Sequence, residues 1–276
     1  MPELPEVETT INELKSIVLN KNINKIILNT DSLRKPINKK KIKKIEGLKI
    51  INVSRRGKYI IISFTNDYIL LIHLGMSGRL IFRKDKLVIN KHDHIVFFIK
   101  KNFYIILNDP RKFGLVDVFL KKDLKNCNHL KNLGVEPLTK EFSFFYLKNA
   151  LLKRKSNIKT FLLNQKIIAG LGNIYVCESL FESNISPFQI AKNLKRKQIS
   201  LLCLKIKKVL QYAINLKGSS ISDFKLPSGL LGKFQNKFKV YDREGKICKR
   251  KGCKEMIIRS VINGRSTYYC KKCQKM

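Results

Sequence analysis

Pro2-Glu3-Leu4-Pro5-Glu6-Val7-Glu8-Thr9 opens the chain behind Met1, and Val7, Ile11, Leu14 and Val18 then fall at helical spacing. Pro5 and Glu6 suit a first turn, so the pattern predicts a packed helix at the very start of the chain. Met1 is expected to be removed before a residue as small as proline, leaving the secondary amine of Pro2. An α-amino group titrates near ~8, well below the ~10.4 of lysine, so a useful fraction is neutral at pH 7. Such an amine can attack a carbonyl carbon or a sugar C1′ and form a Schiff base, which from a secondary amine is an iminium cation. Glu3 is adjacent as a proton donor and Glu6 lies one turn further on. The same residues also suit a plain helix start, with Pro2 permitting Met removal and Glu3, Glu6 and Glu8 complementing the helix dipole. Taken alone, the stretch leaves both readings open.

The chain has 276 residues, enough for two domains, and 57 Lys and Arg stand against 20 Asp and Glu for a formal net charge of +37. Such an excess points to a polyanionic partner, with nucleic acid the usual one. Part of it is compositional: Lys39-Lys40-Lys41-Ile42-Lys43-Lys44 carries no motif and reads as a solvated face. No apolar run reaches the length of a membrane span and no signal peptide is seen, so the expectation is a cytoplasmic protein without membrane contact. Seven cysteines, an odd number, do not suggest a disulfide framework.

Short runs rich in Ile, Leu, Val and Phe follow the first helix: 26–28, 50–53, 59–64, 68–74, 79–82, 95–99, 103–107 and 115–119. Turn residues such as Thr65-Asn66-Asp67 and Lys101-Asn102 separate them, which predicts an antiparallel β-sandwich. From Glu141 the period becomes helical, with helices expected around 146–151, 174–181 and 199–216. The fold class is therefore α+β. Gly134 and Pro137 mark a hinge, and the expected domains are 1–133 (sandwich), 134–239 (helical) and 240–276 (a cysteine-bearing unit).

Cys248-x4-Cys253-x16-Cys270-x2-Cys273 has the spacing of a four-thiolate tetrahedral zinc site on a hairpin. Four thiolates leave no position for water, so one zinc ion would be structural and would supply folding free energy to a segment too small to fold alone. In His73-Leu74-Gly75-Met76-Ser77-Gly78, a flexible apolar side chain between small residues suits insertion into a base stack. Ala169-Gly170-Leu171-Gly172-Asn173 would let backbone approach phosphate, with Asn173 expected to cap the following helix. Lys91-His92-Asp93-His94 could suggest a metal, which zinc elsewhere makes less attractive.

In this order along the chain, the opening Pro2–Thr9, Arg55-Arg56-Gly57-Lys58, the Met76 loop, Asp109-Pro110-Arg111-Lys112-Phe113-Gly114, the 165–178 stretch and the four cysteines resemble the bacterial formamidopyrimidine-DNA glycosylases. The resemblance spans the chain from end to end. It implies a helix-two-turns-helix domain and a zinc finger behind the sandwich, and a monomeric enzyme that removes oxidised purines from double-stranded DNA and nicks the abasic site. By the same resemblance, Pro2 is the nucleophile, Glu3 its acid/base partner, Lys58 a proton donor near the scissile sugar, and Arg265 the phosphate-gripping residue of the second elimination. Met76, Arg111 and Phe113 would fill the hole left by the flipped base, with Arg111 on the orphaned cytosine. His92, Arg154 and Asn173 would contact DNA. The related endonuclease VIII family, which prefers oxidised pyrimidines, and a non-catalytic zinc-ribbon binder are the alternatives; the latter leaves Pro2, Glu3 and Lys58 without a reason. The match is loose over 219–242, where Tyr241-Asp242-Arg243 stands for Tyr-Gly-Arg and residues 227–233 occupy the place of the lesion-capping loop.

Overall fold

The computed structural model describes residues 2–84, 86–221 and 224–275. Met1, Asp85, Ser222, Asp223 and Met276 lie outside the described residues, and with them the expected Met1 cleavage and two positions of the loosely matching stretch. The chain forms two compact units, neither continuous in sequence: 1–131 with 216–233, and 132–215 with 234–276.

In the first unit, α1 (Leu4–Val18) is followed by β1 (Lys25–Leu28), α2 (Lys39–Lys43), β2 (Ile50–Arg56), β3 (Tyr59–Phe64), β4 (Tyr68–His73), β5 (Arg79–Lys84), β6 (Asp93–Lys100), β7 (Phe103–Asn108) and β8 (Leu115–Leu120). Two four-stranded sheets result, in the orders β1-β6-β7-β5 and β2-β3-β4-β8, and every pairing is antiparallel. Alternation sets the faces: Ile60, Ile62 and Phe64 of one sheet and Ile95, Phe97, Ile105 and Leu107 of the other share one core with Val7, Ile11, Leu14 and Val18 of α1. Burying each such side chain contributes roughly 1.5–3 kcal/mol, so the helical stripe fixes α1 against the sandwich. Phe224, in the segment that returns from the second half of the sequence, enters the same core. The Lys39–Lys43 run forms the short helix α2, missed in the sequence; only Ile42 is buried and the lysines are exposed as expected.

The second unit holds α3 (Phe144–Leu151), α4 (Ile158–Leu163), α5 (Asn173–Glu182), α6 (Arg196–Asn215) and the antiparallel hairpin β9 (Ile257–Ile262) and β10 (Arg265–Cys270). Helix α4 was not expected: at six residues it is too short to show a period, and Asn157 caps it by accepting from Thr160 N–H. Gln165 ties the turns before α5 together. Its Nε2 donates to the carbonyls of Leu163 and Leu171, at 3.1 and 2.7 Å, while its Oε1 accepts from Gly170 N–H at 2.8 Å. Among the described residues no helix is long and apolar enough to cross a membrane.

Candidate active site and nucleic-acid interface

The start of α1 is held from two directions by one carboxylate. Glu3 is the N-cap, and a reciprocal capping box links its side chain to Glu6 N–H and its own N–H to Glu6 Oε2 at 2.9 Å. The other oxygen of Glu6 accepts from Ser219 N–H at 2.7 Å, in the returning 216–233 segment. Gly218 precedes it at φ +74°, where an added Cβ would stand 2.9 Å from Glu6 Oε1, so a glycine is required. Pro2, Glu3 and Glu6 are all buried. Hence the terminal residues have a fixed geometry. Lys58, also buried, sits in the two-residue turn between β2 and β3, where Gly57 takes φ +57°. That hairpin is bound to α1 by the Arg55–Glu8 ion pair, Nε to Oε2 at 2.6 Å.

The loops bearing Met76, Arg111 and Phe113 share one brace, Asp109, which is fully buried. Its Oδ1 accepts from Ser77 Oγ at 2.6 Å and its Oδ2 from Gly114 N–H at 2.7 Å, while Ser77 Oγ accepts from Arg111 N–H at 3.2 Å. A Cβ on Gly75 would meet the Phe113 carbonyl at 2.4 Å, so the loops touch backbone to backbone. On this support Met76 and Phe113 are 44% and 41% exposed, and the Arg111 guanidinium lies 4.7 Å from the Phe113 ring centroid. Large apolar side chains held out to solvent by a buried carboxylate call for a function outside the core. His92, half-buried, is next to this brace, since its carbonyl accepts from Asp109 N–H at 3.0 Å.

His73 anchors the Met76 loop from below: its Nδ1 accepts from Gly75 N–H at 3.0 Å and its ring centroid lies 4.7 Å from that of Tyr59. Burial, with the charges of Arg34, Lys58 and His129, lowers its pKa from 6.5 to about 3, so the ring stays neutral. The less attractive metal reading of His92-Asp93-His94 finds no support in the geometry. Asp93 accepts from Asn108 Nδ2 and Asn90 N–H, His94 Nε2 bonds the Asp109 carbonyl, and among the described residues only the cysteines form a metal-binding group.

In the second unit α5 begins at Asn173, with Gly172 as its N-cap, so the expected cap by the Asn173 side chain is corrected. Asn173 Nδ2 instead donates to the Ser266 carbonyl at 3.0 Å. That carbonyl also accepts from Lys159 Nζ at 2.8 Å, and the same ammonium reaches Thr267 Oγ1 at 2.6 Å. Thr267 Oγ1 in turn donates to the Arg265 carbonyl at 3.2 Å. Arg265 is exposed just past Asn263-Gly264, whose φ values of 48° and 70° make a tight hairpin turn. Lys159 has no exposed surface, and burial first, then the Arg265 charge, lowers its pKa. Sequence reading missed it because lysine is ordinarily a surface residue. Arg154, the other basic candidate, is exposed at the end of α3 with Nε on the Ala150 carbonyl.

The four cysteine sulfurs lie within 4.8 Å of one another, with Cys248–Cys273 and Cys253–Cys270 at 3.9 and 3.7 Å. A tetrahedral ion with ~2.3 Å bonds to sulfur separates its ligands by about 3.8 Å, so the cluster fits a metal of that kind. Close behind it Glu178, buried on α5, accepts from the N–H groups of Lys239, Val240 and Tyr241 at 2.8–3.1 Å and so fixes the chain entering the hairpin.

Residues 1–116 match the family model of the formamidopyrimidine-DNA glycosylase N-terminal domain, and 133–225 that of the formamidopyrimidine-DNA glycosylase H2TH domain. Over 99% of its length the chain is 45% identical to the formamidopyrimidine-DNA glycosylase of Wolbachia pipientis from Culex pipiens, and it is 43% identical throughout to that of Zymomonas mobilis, each relative covered completely. Among solved structures, a mutant Lactococcus lactis FPG in complex with a Fapy-dG containing DNA matches over the whole of both chains with a TM-score of 0.92 and 35% identity.

Proposed function

The chain belongs to the formamidopyrimidine-DNA glycosylase family and is a DNA glycosylase, and on that premise we propose that it excises oxidised purines from double-stranded DNA and nicks the abasic site through an imine on Pro2. The observation that carries this reading is the buried terminus, where Glu3 and Glu6 cap each other directly behind Pro2. The Pro2 nitrogen attacks C1′ while Glu3 protonates the ring oxygen O4′, so the N–C1′ bond forms as the sugar ring opens and the base departs with its bonding electrons and a proton. The resulting iminium draws electrons from C2′. Loss of the C2′ proton then expels the 3′ phosphate, a second elimination expels the 5′ phosphate, and water releases the sugar remnant from Pro2.

Lys58 donates a proton beside the scissile sugar. Met76, Arg111 and Phe113 fill the vacated stack, because a base inside the duplex is closed to a nucleophile and extruding it costs a few kcal/mol. Asn173, with a second N–H beyond the one on Ser266, and Arg265 bind phosphate; Arg265 also serves the second elimination, and His92 and Arg154 add backbone contacts. Cys248, Cys253, Cys270 and Cys273 hold one zinc ion, which ties the hairpin together and takes no part in bond making. We place the enzyme in the cytoplasm as a monomer.

Borohydride reduction on a duplex carrying 8-oxoguanine opposite cytosine tests the reading. Wild type is expected to give a covalent protein–DNA adduct, and Pro2→Gly, which keeps an amine but not a secondary one, at least tenfold less. Undiminished trapping in Pro2→Gly would move the nucleophile elsewhere, with Lys58 the first suspect.

A further inference from the structure

Two adjoining clefts lie in the second unit at the C-terminal end of α5, the end remote from Asn173. The first, about 230 Å³, has Val209, Tyr212 and Phe234 beneath Lys205, Lys208, Lys237 and Lys239. The second, about 410 Å³, shares Lys205 and Lys239 and adds Lys249, Arg250 and Lys251. Two carboxylates line them. Glu178 is buried and turned to the backbone of 239–241, which leaves Glu182 to face the cations. Glu182 pairs with both Lys205, at 3.0 Å, and Lys239. Burial alone would raise its pKa, yet the two lysines hold it below the ordinary value. Lys208, Lys237 and Lys251 are exposed, and their ammonium groups make no hydrogen bond or ion pair among the described residues. Ten helical residues span about 15 Å, so these cations stand well away from the Asn173 end of α5.

We infer that this pair of clefts is a second nucleic-acid site, which binds the phosphate backbone of DNA outside the lesion contacts. Cations gathered from α6, residues 237–239 and residues 249–251 repel one another across shallow, adjoining grooves, and an extended polyanion relieves that repulsion along its length. A compact anion would satisfy only one end. Tyr212, 46% exposed and edge-on to Phe234 at 5.9 Å, offers an apolar wall for sugar or base.

The test separates this site from the general basicity of the chain. Affinity for a long undamaged duplex is measured against salt for wild type, for Lys208→Glu/Lys237→Glu, and for Lys122→Glu/Lys125→Glu, exposed lysines of the first unit with the same charge change. Every phosphate that a lysine neutralises adds about 0.9 to the log–log slope, so the cleft variant is expected to fall short of wild type by about two units of slope and the control by less than half of that. Lys208→Gln/Lys237→Gln should show the same reduction, which excludes an effect of the introduced acids. Protein saturated with a short lesion duplex is then offered a second, labelled undamaged duplex. Uptake shows a second DNA segment in the clefts; no uptake, with the slope reduction intact, assigns them to the flank of the same duplex. Equal slope reductions in the cleft and control variants, or none in either, overturn the proposal.

Discussion

Glu6 and Lys159 are both buried ionisable groups, 2% and 0% exposed, yet they build opposite kinds of site. Glu6 gathers donors: the N–H groups of Glu3 and Ser219 close on its two oxygens. Lys159 gathers acceptors: the Ser266 carbonyl and the Thr267 hydroxyl close on its ammonium, and Thr267 passes the hold to the carbonyl of Arg265. In each case an ionisable side chain is kept out of water by polar groups that include a segment remote in sequence, so one side chain ties two pieces of chain together. The sign differs with the task. A carboxylate stands close in sequence to the amine proposed as the nucleophile, and an ammonium stands beside the arginine proposed to grip phosphate.

The largest expected effect comes from dismantling the cationic side. Cys270 is fully buried and its sulfur is one of the four in the cluster, so on the proposed zinc reading Cys270→Ser should lose the metal and unfold the hairpin that carries Arg265. DNA affinity should fall at least a hundredfold, followed by metal analysis and fluorescence anisotropy, since the groups proposed to bind phosphate on the hairpin go together. Slow imine formation should survive at low salt and high concentration. A folded variant that binds DNA normally but forms no imine would give the metal a direct chemical role and end the comparison.

Lys159→Met asks the same question without touching the metal. Removing a buried ammonium that has no carboxylate partner among the described residues relieves desolvation, so the melting temperature should hold or rise. Thr267 loses the Lys159 ammonium and Ser266 keeps only Asn173 as donor, the Arg265 turn loosens, and affinity should drop about thirtyfold, near 2 kcal/mol, with the trapping rate at saturating DNA within twofold of wild type. A matching loss of stability would make Lys159 a plain structural group.

Local features were legible in the sequence. Tyr59–Phe64 is expected with its observed ends, the other seven first-unit strands to within a few residues, and the cysteine cluster from spacing alone, because strand period and ligand chemistry are written in neighbouring residues. Pairings between distant residues were not. Nothing near Glu6 announces Ser219, and the lysine of Ile158-Lys159-Thr160 looks like any of the chain's other surface lysines. Asn173 reads as a cap because asparagine favours that position, yet Gly172 takes it and frees the amide for Ser266.

Glu6→Gln tests the anionic side. The amide keeps one acceptor for Glu3 or Ser219 but turns an N–H toward the other, and so breaks the hold on the residue that follows Pro2. Imine formation should slow about tenfold, or 1.4 kcal/mol, with DNA affinity within twofold of wild type. If affinity falls and the imine rate does not, the division of labour between the two buried charges is wrong.

His73 sharpens the comparison by being the partly buried group that must stay neutral. It belongs to the same unit as Glu6, but burial and the charges of Arg34, Lys58 and His129 make a proton unwelcome there and hold its pKa near 3 against an ordinary 6.5. The unfolded chain therefore binds this proton below pH 6.5 while the folded chain refuses it until about pH 3. Its contribution to stability is present above 6.5 and is lost as the pH falls, by roughly 1 kcal/mol on going from pH 6.5 to pH 5.5. Asparagine can still accept from Gly75 N–H and has no proton to gain, so His73→Asn should flatten this part of the curve of denaturation midpoint against pH. Parallel curves for the two proteins would show that His73 takes up its proton in the folded state, and that this unit tolerates a buried cation after all.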